Sequence, residues 1–215
     1  MNTSLLKKHF GLWLPVLVLM SALAACSGKK YETIPSGAKV LVIGDSITAG
    51  YGLSPELAWT TTLAAETGWQ VINAGVSGDT TAGGSERLPA LLDEHQPLAV
   101  IVELGGNDML RRQSPTSIGA NLETMIGEIQ RRGSRPILMA VPRPNIAGVV
   151  LSSLSDAPLY TAMAREKNIP VIEYILSDTL SRPELKLDEL YPNGEGHRQI
   201  GKGVASALRK QGLVR

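Results

Sequence analysis

Lys39-Val40-Leu41-Val42-Ile43-Gly44-Asp45-Ser46-Ile47-Thr48-Ala49-Gly50 changes character at its middle. The aliphatic run 40–43 has no polar alternation, so it reads as a strand buried on both faces, the kind found in parallel sheets covered by helices. Gly44, Asp45 and Ser46 then break the run and open a turn. Similar β-branched runs fall at 70–73, 98–104, 136–141 and 169–174. Helical spacing follows each strand, at 55–66, 83–95, 116–132, 154–167 and 194–210. This βα repeat predicts a three-layer α/β/α sandwich around a central parallel sheet of about five strands with right-handed crossovers. Ligands of such sheets sit beyond the carboxyl ends of the strands, so the residues just after each strand are the ones to examine for chemistry.

The 215 residues carry 21 basic and 20 acidic side chains, a formal charge of +1 without a basic stripe. That balance gives no electrostatic basis for gripping a phosphate backbone, and no nucleic-acid partner is expected. The 22 glycines and 13 prolines are scattered among apolar runs, which argues against disorder. At the amino end, Lys7 and Lys8 precede an apolar stretch too short for a spanning helix but suited to a secretory signal. Leu23-Ala24-Ala25-Cys26 resembles the lipobox of bacterial lipoproteins. The resemblance implies a signal peptide at 1–25, an acylated Cys26, a tether at 26–37 and one domain at 38–215. Two acyl chains on Cys26 would anchor the protein to a membrane at roughly 0.8 kcal/mol per buried methylene. Ser27 resembles the residue of lipoproteins sent to the outer membrane, so a periplasm-facing envelope location is the expectation.

Three strand ends offer hydrogen-bond donors. After the first strand, Ser46 can present its hydroxyl and its own N–H to a common point, although an Asp-Ser pair there also suits a helix cap. After the second comes Asn73-Ala74-Gly75-Val76-Ser77-Gly78-Asp79-Thr80, where a glycine lets its N–H approach a ligand or simply makes a turn. After the third, Leu104-Gly105-Gly106-Asn107-Asp108 places an amide side chain at the same crevice. In order and spacing these blocks resemble the SGNH hydrolase family from about residue 39 to the carboxyl end. The longer matches 44–51, 75–81 and 102–108 resemble its branch of bacterial arylesterases and thioesterase/lysophospholipase enzymes. The resemblance implies a flavodoxin-like fold and a serine esterase or thioesterase, with Ser46 as nucleophile. It also implies the Ser46 N–H, the Gly75 N–H and the Asn107 amide as oxyanion donors, each contributing roughly 3 kcal/mol. Asp45 and Asp108 read as local acceptors.

The family's last block supplies an acid and a base as Asp-x-x-His. Here the matching residues are Asp188-Glu189-Leu190-Tyr191, and the histidine position holds Tyr191. About one free tyrosine in a thousand is phenolate at pH 7, whereas a free imidazole is mostly neutral and ready. Losing the base of a serine triad costs roughly a million-fold in turnover. Of the three histidines, His9 lies in the signal and His95 at the far end of the second helix. His197 is on the correct side of the sheet, six residues beyond Tyr191. It is therefore the candidate base, although a rearranged loop is required; the plainer reading is a helix-start histidine. Three functions fit: an acyl-ester or thioester hydrolase with a reassigned base, a pseudoenzyme that binds an acyl or glycan ligand, and a surface scaffold. Retention of Ser46, Gly75, Asn107 and Asp188 argues against the scaffold. No cysteine-histidine set suits a metal, no phosphate-cradling loop is present and no obligate protein partner is evident, so cofactor-free chemistry is expected. Walls for an acyl chain are expected from 109–114 and 143–153, where Arg111 and Arg112 read as solvated or as contacts for an anionic headgroup.

Overall fold

The computed structural model describes residues 31–144 and 153–215. Five strands, β1 (Lys39–Gly44), β2 (Gln70–Gly75), β3 (Ala99–Glu103), β4 (Arg135–Met139) and β5 (Val171–Ile172), form one sheet in the order β2-β1-β3-β4-β5. Every pairing is parallel, and the register sets Gly44 level with both Gly75 and Glu103. Val40 to Ile43 and Ala99 to Val102 are fully buried, as unbroken aliphatic runs require in a sheet covered on both faces. The chain steps from β1 to one neighbour, β2, and then returns to the other side for β3. The switch point of the sheet therefore lies between the carboxyl ends of β1 and β3.

Helices α2 (Trp59–Thr67), α7 (Ile175–Leu180) and α8 (Gly194–Lys210) pack together as one layer; α3 (Thr81–His95), α5 (Pro115–Arg131) and α6 (Pro158–Lys167) pack as another. The α5 residues Ile118, Leu122, Met125, Ile126 and Ile129 repeat at helical spacing and are buried. At that spacing they form one apolar stripe. Short helices α1 (Ser46–Ala49) and α4 (Gly106–Leu110) cap the ends of β1 and β3.

Two helices start later than the spacing suggests. Ala58 is extended, so Pro55–Leu57 makes a separate 3-10 turn before α2. Ala157 precedes Pro158 and is held out of helical conformation, so α6 starts at the proline rather than at residue 154. The carboxyl part of the segment read as a tether is fastened to the body. Tyr31 N–H and Ile34 N–H donate to the Gln211 and Leu213 carbonyls, and Ile34 is buried. Residues 1–30, with Cys26, lie outside the described residues.

Candidate active site

Ser46 occupies the first position of α1, immediately beyond β1. The turn is tight because Gly44 has no side chain: a Cβ there would lie 2.3 Å from Thr48 Oγ1. Asp45 caps the helix, its Oδ1 accepting from Ile47 N–H at 2.9 Å. Thr48 Oγ1 donates to Glu103 Oε2 at 2.7 Å, fastening α1 to the end of β3. Ser46 is 7% exposed, and neither its hydroxyl nor its amide N–H has a hydrogen-bond partner among the described residues. A first-turn N–H left without an intrahelical acceptor is a donor available to an anion.

Carboxyl groups crowd beneath this turn. Burial, opposed by the Ile47 N–H and reinforced by Asp79 and Asp108, pushes Asp45 up to about 6. Glu103 is fully buried, and its Oε1 has no partner among the described residues. Burial and then the Asp45 charge raise it well above the usual carboxylate range. Asp108 accepts from Thr81 N–H at 2.9 Å and from Thr81 Oγ1 at 2.6 Å, anchoring the start of α3.

The three expected oxyanion donors have different surroundings. Asn107 lines the same cleft as Ser46, but its Nδ2 donates to Asp79 O at 2.9 Å and to Asp45 Oδ2 at 3.2 Å. Donating to a substrate oxygen means exchanging the longer of these bonds. Gly75 departs from expectation, because its N–H donates to Asn73 Oδ1 at 2.9 Å. Its lack of a side chain serves packing instead: a Cβ would fall 2.2 Å from Ala49 N. Asn73 Nδ2 meanwhile bonds Thr48 O and Thr60 Oγ1, tying β2 to α1 and α2. Sequence reasoning passed over Gly78. It has φ +79°, in a turn closed by Asp79 N–H donating to Val76 O, and its amide has no acceptor among the described residues. Arg111 Nη2 holds its carbonyl at 3.0 Å, so that arginine braces the turn. Its place between Ser77 and Asp79, just before the Thr80 cap of α3, was the available signal.

The segment from which an acid and a base were expected is arranged around the tyrosine. Asp188 Oδ1 accepts from the backbone N–H groups of Leu190 and Tyr191, at 2.8 and 2.9 Å, and so closes the turn that carries Tyr191. The Tyr191 ring packs against Tyr51, which follows α1, with centroids 4.5 Å apart and planes inclined by 35°. Pairs of this kind contribute about 0.5–1.5 kcal/mol. His197 is 1% exposed, and its Nδ1 accepts from Trp59 N–H at 3.2 Å. Ala58 gives α2 no side-chain cap, so the imidazole of α8 satisfies one of that helix's first-turn donors. Burial drives His197 down to about 4.

Asp45, Ser46, Ile47, Gly106, Asn107 and Tyr191 share a cleft of about 390 Å³ whose walls include Leu110, Val141, Leu154, Leu180 and Leu190. Arg143 and Pro144 also line it, as expected of that loop, whose residues 145–152 lie outside the described residues. His197, Asp188, Gly75 and Gly78 are not among the lining residues. Among the described residues no group of three or more His, Cys, Asp or Glu is placed to hold a metal ion.

A model of the GDSL-like lipase/acylhydrolase family matches residues 42–199. The chain is 36% identical over 200 residues to an arylesterase of Vibrio mimicus, covering 90% of this chain and 96% of that protein. It is 34% identical over 175 residues to the thioesterase 1/protease 1/lysophospholipase L1 of Escherichia coli K12, covering 79% and 83%. The crystal structure of the psychrotrophic esterase EstA from Pseudoalteromonas, inhibited by monoethylphosphonate, aligns with a TM-score of 0.71 at 28% identity over 80% of this chain and 97% of that one.

Proposed function

The chain belongs to the GDSL-like lipase/acylhydrolase family, and from that premise we propose that it cleaves acyl esters or thioesters through an acyl-enzyme on Ser46, at a turnover held low by Tyr191. The observation that carries this reading is the unpartnered Oγ and N–H of Ser46 on a largely apolar cleft shared with Asn107. Ser46 Oγ attacks the acyl carbon, and the oxygen that becomes negative is met by the Ser46 N–H. Asn107 Nδ2 joins by releasing Asp45, and the third N–H in this proposal is that of Gly78, which does not line the cleft but has no acceptor among the described residues, in place of Gly75, whose N–H is held by Asn73. Each donor lowers the barrier by roughly 3 kcal/mol. His197 is not the base in this proposal, because its Nδ1 already accepts from Trp59 N–H and burial disfavours its charged form. Aryl esters, lysophospholipids and acyl thioesters are the substrate classes suggested by the names of the relatives. A second reading, a pseudoenzyme that holds its acyl or glycan ligand without efficient turnover, draws support from Tyr191 and from the way Asp188 is spent on backbone. Hydrolysis of p-nitrophenyl butyrate is the test: activity, even if slow, should vanish in Ser46→Ala, and activity retained there refutes the assignment.

The proposal extends to location. Lys7, Lys8, the apolar run and Leu23-Ala24-Ala25-Cys26 support a lipoprotein signal at 1–25, acylation of Cys26 and a periplasm-facing site on the outer membrane, with Ser27 as the sorting residue. Incorporation of labelled palmitate into the protein, lost in Cys26→Ala, is the check.

A further inference from the structure

The cleft supports a second property, which rests on Ser46 being the nucleophile. We propose that the protein accumulates a long-lived acyl ester on Ser46: it takes an acyl group from an activated donor, a thioester or aryl ester, and releases it to water slowly. It then works as an acyl acceptor more than as a multiple-turnover hydrolase.

The two half-reactions ask different things of the site. In acylation a bond forms between Ser46 Oγ and the acyl carbon, and the bond from that carbon to sulfur or aryl oxygen breaks. The electron pair leaves on a thiolate or phenolate, whose conjugate acids have pKa values of about 8.5 and 10. Such an anion departs without a positioned acid, and the Ser46 proton passes to solvent and from there to the leaving group. In deacylation a water oxygen bonds to the acyl carbon and sheds a proton, while Oγ takes the electron pair of the breaking bond. An alkoxide is a far poorer leaving group, its conjugate acid being about as weak an acid as water, so Oγ must receive a proton as it leaves. One group acting first as base and then as acid normally handles both transfers.

Among the described residues the cleft holds no proton carrier that is both free and sheltered: Glu189 lines it but is largely exposed to solvent, with Lys186 Nζ 3.9 Å from its carboxylate. The cleft that holds Ser46 is also lined by Tyr191, whose ring is tilted against Tyr51 and whose hydroxyl is unpartnered among the described residues. His197 is buried and accepts from Trp59 N–H. Asp45, the nearest carboxyl in sequence, is occupied by Ile47 N–H and Asn107 Nδ2. Leu110, Val141, Leu154, Leu180 and Leu190 line the space with hydrocarbon, which favours an acyl chain over ordered water. The donors that stabilise an oxyanion serve both half-reactions and both attacks must shed a proton, from Oγ or from water, but only the second must also protonate a departing alkoxide, so the missing proton carrier slows both and the second more.

The full-length protein is mixed with p-nitrophenyl butyrate, and with a butyryl thioester in parallel, and followed by absorbance and intact-mass spectrometry. The expected result is a burst of about one leaving group per protein, then a steady rate at least 100-fold slower. A single butyryl increment should persist and map by digestion to Ser46. Tyr191→His should erase the increment and raise the steady rate by roughly 100-fold or more. Linear turnover without a burst or increment, abolished by Ser46→Ala, overturns the long-lived ester and leaves the nucleophile standing. A burst that survives Ser46→Ala overturns the nucleophile itself. Labelling of Ser46 by an ethylphosphonate without any butyryl increment also overturns the ester alone.

Discussion

Replacing His197 with glutamine separates a structural imidazole from a catalytic one. The ring sits 1% exposed at the start of α8 and accepts the Trp59 N–H, and burial lowers it to about 4. An unfolded imidazole titrates near 6.5, so the neutral ring's contribution is complete above that value and is lost as pH falls toward the folded one. Integrating between those values gives a loss of about 2 kcal/mol by pH 5 and about 3 kcal/mol by pH 4. Asp45 and Glu103 act in the opposite direction: their raised values mean that the folded state gains stability as they take up protons. That background cancels when wild type and variant are compared at each pH. Glutamine does not titrate, and its side-chain oxygen can still accept from Trp59. At neutral pH His197→Gln should therefore be less stable by about 1–2 kcal/mol, with that gap closing and then reversing as the pH drops to 4. Urea unfolding at a series of pH values measures it. A stability difference that stays flat from neutral pH to 4 refutes the buried, neutral imidazole. A variant that keeps wild-type stability but loses all Ser46-dependent activity refutes the structural role and makes His197 the base.

Two further outcomes follow from the packing around α1. Gly75→Ala places a Cβ 2.2 Å from Ala49 N and 2.6 Å from the Thr48 carbonyl carbon, backbone atoms that cannot swing aside. It should cost about 1–3 kcal/mol and lower the thermal midpoint by several degrees, and an unchanged melting curve contradicts the close approach. Glu103→Gln mimics the protonated acid and retains an acceptor for Thr48 Oγ1, so at mildly acidic pH denaturant midpoints should place it within about 1 kcal/mol of wild type. Glu103→Ala should cost about 3 kcal/mol through a cavity and an orphaned hydroxyl. Equal losses in the two variants would show that the charge, rather than the shape, is required.

The parallel sheet was legible because burial on both faces leaves a local trace: unbroken aliphatic runs at 40–43 and 99–102 cannot belong to a strand with one wet face. Strand ends told where to look, and Ser46 and Asn107 do line one cleft. Less legible were α1, α4 and α7, because four to six residues carry too little periodicity to distinguish a helix from a turn. The late start of α6 had a local signal in Pro158, whereas the break at Ala58 has none of that kind.

The amino-acid sequence alone established that residue 191 is a tyrosine, a matter of residue identity that no folding can change; the expectation of a histidine there came from the family resemblance. Which group each polar atom answers to was decided by tertiary structure. His197 and Trp59 are 138 residues apart, and only the crossing of α8 over α2 brings an imidazole nitrogen to an uncapped helix end. The Gly75 amide is turned aside by Asn73, and Asn107 is held by Asp45 and Asp79, through bonds just as invisible to periodicity. Apolar spacing records which faces are removed from water, a local property summed along the chain. A hydrogen bond is directional and short-ranged, so its partner is fixed only when distant segments have packed to within about 3 Å.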